Sequence, residues 1–235
     1  MARDPPVFAY WQGDVSLLSG FLADWRGHFP GFQLFHDAEI EAILDEIAPR
    51  YIKLYRRLRF PATRSDVARF ALLFQIGGLY VDCHCGVRST ADIRALFAKL
   101  AEFELVVWEH SYIFAPRPKE VMRPITGVMM ARPRSEIVRT LLLSGLENLD
   151  AHDRREAREG HFEYWPWGMC GAGNFSRVMN VPESGDTKLK PEYEGKMFFS
   201  SVDAGPISLY RHKAYRRPES HWYTRKRTEL LFEPE

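Results

Sequence analysis

Apolar residues in the first half of the chain recur in two rhythms, and each switch between them marks a new element. Val7 to Trp11 is a short apolar and aromatic run closed by Gly13 and Asp14, which predicts a buried strand. A helical spacing follows around Ser16 to Trp25, Phe29-Pro30-Gly31 predicts a turn, and Phe32 to Phe35 a second strand. Ile40, Ile43, Leu44 and Ile47 then recur at helical intervals behind Asp37, a candidate cap, and Tyr51, Leu54, Tyr55 and Leu58 predict a shorter helix beyond Pro49. Val67, Phe70, Ala71 and Phe74 define the next amphipathic helix, with Ser65 as its expected N-cap and Gly77-Gly78 as its stop. The strand Leu79 to Asp82 follows directly.

Thr90 is the expected cap of a further helix to Leu100, Leu105 to Trp108 the next strand, and the proline-bearing stretch Ala115 to Pro124 a loop. Ile125 to Met130 reads as a strand and Ser135 to Leu149 as a helix carrying Ile137, Val138, Leu141 and Leu142. The charged stretch Asp150 to Glu163 is expected to be exposed, and Trp165 to Gly173 to form an irregular loop before Phe175 to Met179. Met197 to Phe199 and Ile207 to Tyr210 are strand-like, and a basic, aromatic tail follows. Strands alternating with helices predict an α/β sheet with helices on its faces. No internal repeat or low-complexity segment interrupts this order, and the 235 residues are read as one domain.

Composition narrows the function. Acidic and basic residues nearly cancel to a formal charge of +1, which argues against a nucleic-acid or membrane-surface protein while leaving room for local phosphate sites. The N-terminus carries Arg3, Asp4, Pro5 and Pro6 where a signal peptide would be apolar, and no run of about 18 apolar residues occurs, so a cytoplasmic protein without a transmembrane segment is expected. Three cysteines lack the spacing of a disulfide framework, in keeping with a reducing compartment.

The candidate chemistry sits where the fourth helix meets the third strand. Asp66 and Arg69 lie three apart and so share a helix face, close to the expected N-terminal end. On the strand, alternation puts Asp82 and His84 on one side and Cys83 and Cys85 on the other. A carboxylate and an imidazole at a strand end can grip a divalent cation and a polar ligand, and ligands of α/β sheets collect beyond strand C-termini. The plainer reading of Asp82-Cys83-His84 alone is a solvated strand end. A zinc site at Cys83, His84 and Cys85 is disfavoured because the histidine faces away from the thiols, with only Cys170 as a distant further thiolate.

Taken as one block, Ser65-Asp66-x-x-Arg69, the apolar helix and Gly77-Gly78-x-Tyr80-x-Asp82-x-His84 resemble the sugar-binding region containing the DxD motif of glycosyltransferase family 32, and the catalytic domains of large clostridial glucosylating toxins. The likeness is strongest over Thr63 to Gly86, extends over Val7 to Asp37 and fades afterwards. It implies a GT-A fold, a Rossmann-like mixed sheet flanked by helices, in which residues 1–110 bind a nucleotide sugar and residues 111–235 form the acceptor side and a closing segment. It further implies that Asp66 and Arg69 contact the donor sugar, that Asp82 binds ribose and sugar and supports a metal, with Tyr80 in the same donor-binding strand, and that Trp11 stacks on the nucleobase. Ser220-His221-Trp222 is similar to the family's Ser-x-Trp loop, so Ser220 would touch the metal or a phosphate and Trp222 the β-phosphate.

Two positions depart from the family. His84 stands where the second aspartate would ligate Mn2+ or Mg2+; a neutral imidazole brings no negative charge, so metal affinity falls, the preferred metal shifts, or the reaction is metal-independent. Arg217 stands where an acidic ligand is expected, and Arg211, His212, Lys213, Arg216 and Arg217 are candidates to supply the charge instead. The resemblance places Ile125-Thr126-Gly127 and Trp165 to Gly173 among acceptor-side loops, and Glu109 is a candidate acceptor contact or catalytic carboxylate.

The expected activity is transfer of a hexose from a UDP- or GDP-sugar to a hydroxyl, with retention, in surface-glycan synthesis. The acceptor would be a glycan, lipid-linked or protein, and peripheral membrane association stays open. Rival readings are a nucleotide-sugar hydrolase or nucleotidyltransferase on the same sheet, and a non-catalytic sugar-nucleotide sensor or interaction subunit.

Overall fold

In the computed structural model, which describes residues 5–110, 123–181, 188–201, 205–213 and 222–234, alternate side chains of each strand enter two different apolar layers. Phe8 and Tyr10 of β1 (Val7–Tyr10), Tyr80 of β3 (Gly78–Val81), Leu105 and Val107 of β5 (Leu105–His110), and Met129 and Ala131 of β6 (Arg123–Ala131) enter one layer. Their neighbours Val7, Ala9, Leu79, Val81, Val106, Trp108, Val128 and Met130 enter the other, as the period of two requires.

With β2 (Gln33–Phe35) and β7 (Met197–Ser201), these strands form a six-stranded mixed sheet in the order β2-β1-β3-β6-β5-β7. The trio β2-β1-β3 is parallel, β5 and β7 are parallel, and β6 joins the two groups by running antiparallel to both β3 and β5. The first layer is covered by α2 (Asp37–Ile47), α3 (Ile52–Arg57), α4 (Pro61–Ile76), α6 (Glu136–Glu159) and α8 (Ala172–Met179). The second is covered by α1 (Ser19–His28), α5 (Thr90–Ala98) and a small ribbon of β4 (Gly86–Val87) with β8 (Ile207–Ser208). This is the mixed α/β sheet flanked by helices that the sequence predicts.

Local starts and stops differ in instructive ways. Helix α4 begins four residues before Ser65, at Pro61, whose fixed φ suits the first helical position and whose missing N–H costs nothing there. Ser65 and Asp66 therefore sit in the second turn, away from the orphan backbone donors of the helix end. The stop is as expected: Gly77 takes φ +68°, open to glycine, and a Cβ there would strike Pro133. Asp37 is the first residue of α2 rather than its cap; the backbone N–H of His36 instead donates to Glu39 at 3.1 Å. Ser89, not Thr90, caps α5 by accepting from the Asp92 N–H.

The charged stretch from Asp150 is not exposed throughout. Helix α6 continues to Glu159 and buries His152 and Glu156, and Glu156 accepts from His152 (3.2 Å) and from the backbone N–H groups of Leu231 (2.7 Å) and Phe232 (3.2 Å). That carboxylate pins the C-terminal segment beside Leu58, which bridges to Phe232. The expected loop Trp165 to Gly173 is largely helical, with α7 (Pro166–Met169) leading into α8. The basic tail contributes a last turn, α9 (Trp222–Arg225).

Candidate active site

Because β6 runs antiparallel to β3 with Val81 opposite Val128, the start of β6 lies beside the end of β3, next to the end of β1. Over these strand ends opens a cavity of about 530 Å³, walled by Trp11 and Gln12 after β1, Asp66 and Arg69 on α4, Asp82 and His84 after β3, Thr126 and Gly127 on β6, and Trp222 and Arg225 on α9. Four of the expected site residues, Asp66, Arg69, Asp82 and His84, thus meet at one cavity.

Arg69 is the centre of the polar network. Its guanidinium, buried at 5% exposure, pairs with Asp66 at 2.8 Å and Asp82 at 3.1 Å and donates to Ser65 and Thr126. Burial pulls the guanidinium down in pKa, but the Asp82 and Asp66 carboxylates outweigh it and raise it above its ordinary value. Asp66 is pushed up to about 6, chiefly by burial and further by Asp82, against the attraction of Arg69. A carboxyl that sits near neutrality beside a fixed cation can accept or share protons with a bound hydroxyl.

Asp82 is held on three sides. Tyr80 and Arg69 donate to one oxygen (2.9 and 3.1 Å), its N–H donates to the Gly127 carbonyl at 2.7 Å, and a Cβ on Gly127 would stand 2.6 Å from the other oxygen. The strand ends at Val81, and Asp82 to Cys85 form a turn closed by the Cys85 N–H on the Asp82 carbonyl. Strand alternation is therefore not what separates the side chains, yet Cys83 and Cys85 are buried while Asp82 and His84 are part-exposed on the cavity. All three cysteines are free and buried, and Cys170 lies against Asp66, 3.8 Å from its oxygen.

The His84 ring stacks on Tyr210 at 4.9 Å and 12°, and Tyr210 holds a left-handed φ of 60°, an unusual backbone state for a bulky residue. Among the described residues no three histidine, cysteine, aspartate or glutamate side chains gather as a metal site. Asp82 and His84 give one oxygen and one nitrogen donor type, so a divalent cation there would complete its shell from a ligand's own oxygens.

The remaining expectations divide. Trp11 is half-buried, its indole N–H tied to the Asp14 carbonyl, and it lines the cavity, as does Trp222. Tyr80 does not: it is fully buried, and its hydroxyl joins Ser65 to Asp82 from behind. Arg211 and His212 turn away from the cavity to Asp24 on α1, at 3.6 and 3.0 Å. Lys213 stays near it, over the Tyr210 ring. Ser220, His221, Arg216 and Arg217 lie outside the described residues. Ile125, Thr126 and Gly127 belong to a central strand rather than a loop, and Glu109, lifted to about 7 by burial, is not a cavity residue. Sequence reasoning assigns no site role to Tyr210, Gln12 or Arg225, and it puts Thr126 and Gly127 among acceptor-side loops rather than beside Arg69 and Asp82. Gly127 carried a signal, a lone glycine in a strand pattern, which marks close approach.

Residues 19–98 match the family model described as "Glycosyltransferase sugar-binding region containing DXD motif". That span runs from α1 to α5 and includes Asp66, Arg69, Asp82 and His84, while Trp11 and Trp222 fall outside it. Among solved structures the chain is similar to the PaToxG glycosyltransferase, at 11% identity and a TM-score of 0.45 over 74% of this chain and 68% of that one. Comparison with curated proteins finds no match.

Proposed function

Taking residues 19–98 as a DXD-type glycosyltransferase sugar-binding region, we propose that the chain transfers a hexose from a UDP- or GDP-sugar to a hydroxyl acceptor, with retention at the anomeric carbon. The observation that carries this reading is the convergence of Asp66, Arg69 and Asp82 on a cavity that Trp11 and Trp222 also line. The network fixes these groups before a ligand arrives, which is how binding energy becomes orientation rather than rearrangement.

In this reading Asp66 and Arg69 hold the sugar's hydroxyls, Asp82 holds the sugar and ribose, and Trp11 packs on the base. Trp222 faces the diphosphate; Arg225 lines the same cavity, but its guanidinium is held by both carboxylate oxygens of Glu229 (2.9 and 2.8 Å), which offsets its charge there. Asp82 and His84 are the residues that would hold a manganese or magnesium ion, and such an ion supplies further neutralisation of the diphosphate. Tyr80 acts from behind, as a positioning residue for Asp82.

Incubating the protein with UDP- and GDP-hexoses, with and without manganese and a glycan-rich acceptor extract, tests the reading. Acceptor-dependent transfer with release of the nucleoside diphosphate supports it. Free sugar without transfer indicates a hydrolase, and binding without turnover in any extract indicates a sensor.

A further inference from the structure

Two neighbouring residues of α1 hold the turn that follows β3 from behind. The Trp25 indole N–H donates to the Cys85 carbonyl at 2.9 Å, and an Asp24 carboxylate oxygen accepts from the Val87 N–H at 3.1 Å. The same oxygen meets Nε2 of His212 at 3.0 Å, with the Arg211 guanidinium 3.6 Å away. A carboxylate beside a guanidinium only accepts, so His212 Nε2 is the donor. Gly86 allows this close approach, because a Cβ there would lie 2.8 Å from that oxygen and would strike the Arg211 side chain.

Asp24 therefore joins two segments that share the cavity. On one side is the turn carrying Asp82 and His84; on the other is the stretch after β8, which carries Leu209 and Tyr210. Further bonds run between the same segments: the His212 N–H donates to the His84 carbonyl at 3.1 Å, and Arg211 to the Val87 carbonyl at 2.6 Å. Next to these bonds in the chain, Tyr210 lays its ring on that of His84, 4.9 Å away and 12° from parallel. Tyr210 keeps a φ of 60° there, a state that persists in a bulky residue only where its surroundings impose it.

We propose that Asp24 is a positioning residue for the donor site: by holding His212 and Arg211 against the turn, it fixes the stack of Tyr210 on His84 that lines the cavity. This rests on the donor-site reading above. Asp24 is not itself among the residues lining the cavity, so it acts through the segments it joins. Without its carboxylate the Val87 N–H and His212 Nε2 lose their acceptor, and Tyr210 loses support for its strained backbone. The tyrosine ring then leaves the face of His84, and the imidazole is no longer fixed beside Asp82 before a ligand arrives.

Magnetic resonance of the full chain with labelled histidine gives a readout that needs neither donor nor metal. At about pH 8.5, where histidines are ordinarily neutral, the His84 ring protons, identified by their absence in His84→Gln, should resonate upfield of their position in Tyr210→Ala, because the stacked ring shields them. Asp24→Asn and Asp24→Ala should move them towards the Tyr210→Ala position; Asp24→Asn, which still offers an oxygen to the Val87 N–H, serves if Asp24→Ala does not fold. Calorimetry with UDP and GDP in the presence of manganese should show about a tenfold loss of affinity in the same variants, the worth of one hydrogen bond to a charged group. Asp24→Asn combined with Tyr210→Ala should bind no more weakly than the weaker of the two single variants, since both act through one stack. Unmoved His84 resonances, unchanged diphosphate affinity, or additive losses in the double variant each overturn the proposal and leave the donor site standing. Failure of the parent protein to bind either diphosphate overturns the donor-site reading, and this inference with it.

Discussion

Gly127→Ala should disable the site while barely touching the fold. The added methyl would lie 2.6 Å from an Asp82 carboxylate oxygen and 3.1 Å from its Cγ. Ordinary contact begins near 3.4 Å, so the carboxylate must retreat by about 0.8 Å. It cannot do so freely, because Arg69 and Tyr80 hold its other oxygen. Overpacking of this kind costs about 1–3 kcal/mol, offset in part by the ~0.5–1 kcal/mol gained when a strand glycine is replaced by alanine. The melting temperature should accordingly move by only a few degrees. Donor binding should suffer more, because a displaced Asp82 loses its charge-assisted hydrogen bond to the ligand, worth about 1.5–3 kcal/mol or roughly 10- to 100-fold in affinity. Calorimetry with UDP-glucose and GDP-mannose, paired with thermal melts, separates the two effects. Parental donor affinity in a folded Gly127→Ala protein would refute the claim that Asp82 must occupy this position.

Three further outcomes follow from the buried polar groups. Burial raises Asp66 to about 6, so the folded protein retains a proton that the unfolded chain gives up near pH 4; stability contributed by this group is full below about pH 4 and is lost as pH rises through 6. Urea melts of Asp66→Asn across pH 4 to 7 should lack that decline, and an unchanged decline would assign it elsewhere. Tyr80→Phe should lower donor affinity roughly tenfold by removing a hydrogen bond to a charged carboxylate, with the fold intact by circular dichroism; an unchanged affinity would leave Tyr80 with packing alone. Although burial alone would raise Glu156, donors from His152, Leu231 and Phe232 hold it below its usual range, so its contribution is present above about pH 4.5 and lost on acidification. Glu156→Gln should cost about 2–4 kcal/mol near neutral pH in a denaturant titration, and a loss under about 0.5 kcal/mol would show that the C-terminal segment is held by other contacts.

What could be read from the chain was mostly local. The helix that carries Asp66 and Arg69, its glycine stop and the strand leading to Asp82 follow from periodicity and from the conformational freedom of Gly77. Ser65 looked like a cap because a serine before an apolar run usually is one, and Pro61 won because a proline at the first helical position needs no capping partner. Long-range pairing was hidden. Nothing near Ile125 says that its strand lies between β3 and β5, yet that placement brings Thr126 and Gly127 to Asp82. Arg211 and His212 read as phosphate ligands by charge alone, whereas an aspartate 188 residues before His212 claims them both. His152 and Glu156 did carry a signal: they continue the three-and-four spacing of Leu142, Leu146 and Leu149 along one helix face, which their charge disguised.

The central claim is that one cavity holds the sugar on Asp66, Arg69 and Asp82 and the base on Trp11. A crystal structure of the protein grown with a UDP- or GDP-hexose measures this directly. The account predicts sugar hydroxyls within hydrogen-bonding distance of the Asp66–Arg69 pair and a base packed on the Trp11 ring. A nucleotide sugar seated elsewhere, or none bound at saturating concentration, would contradict it.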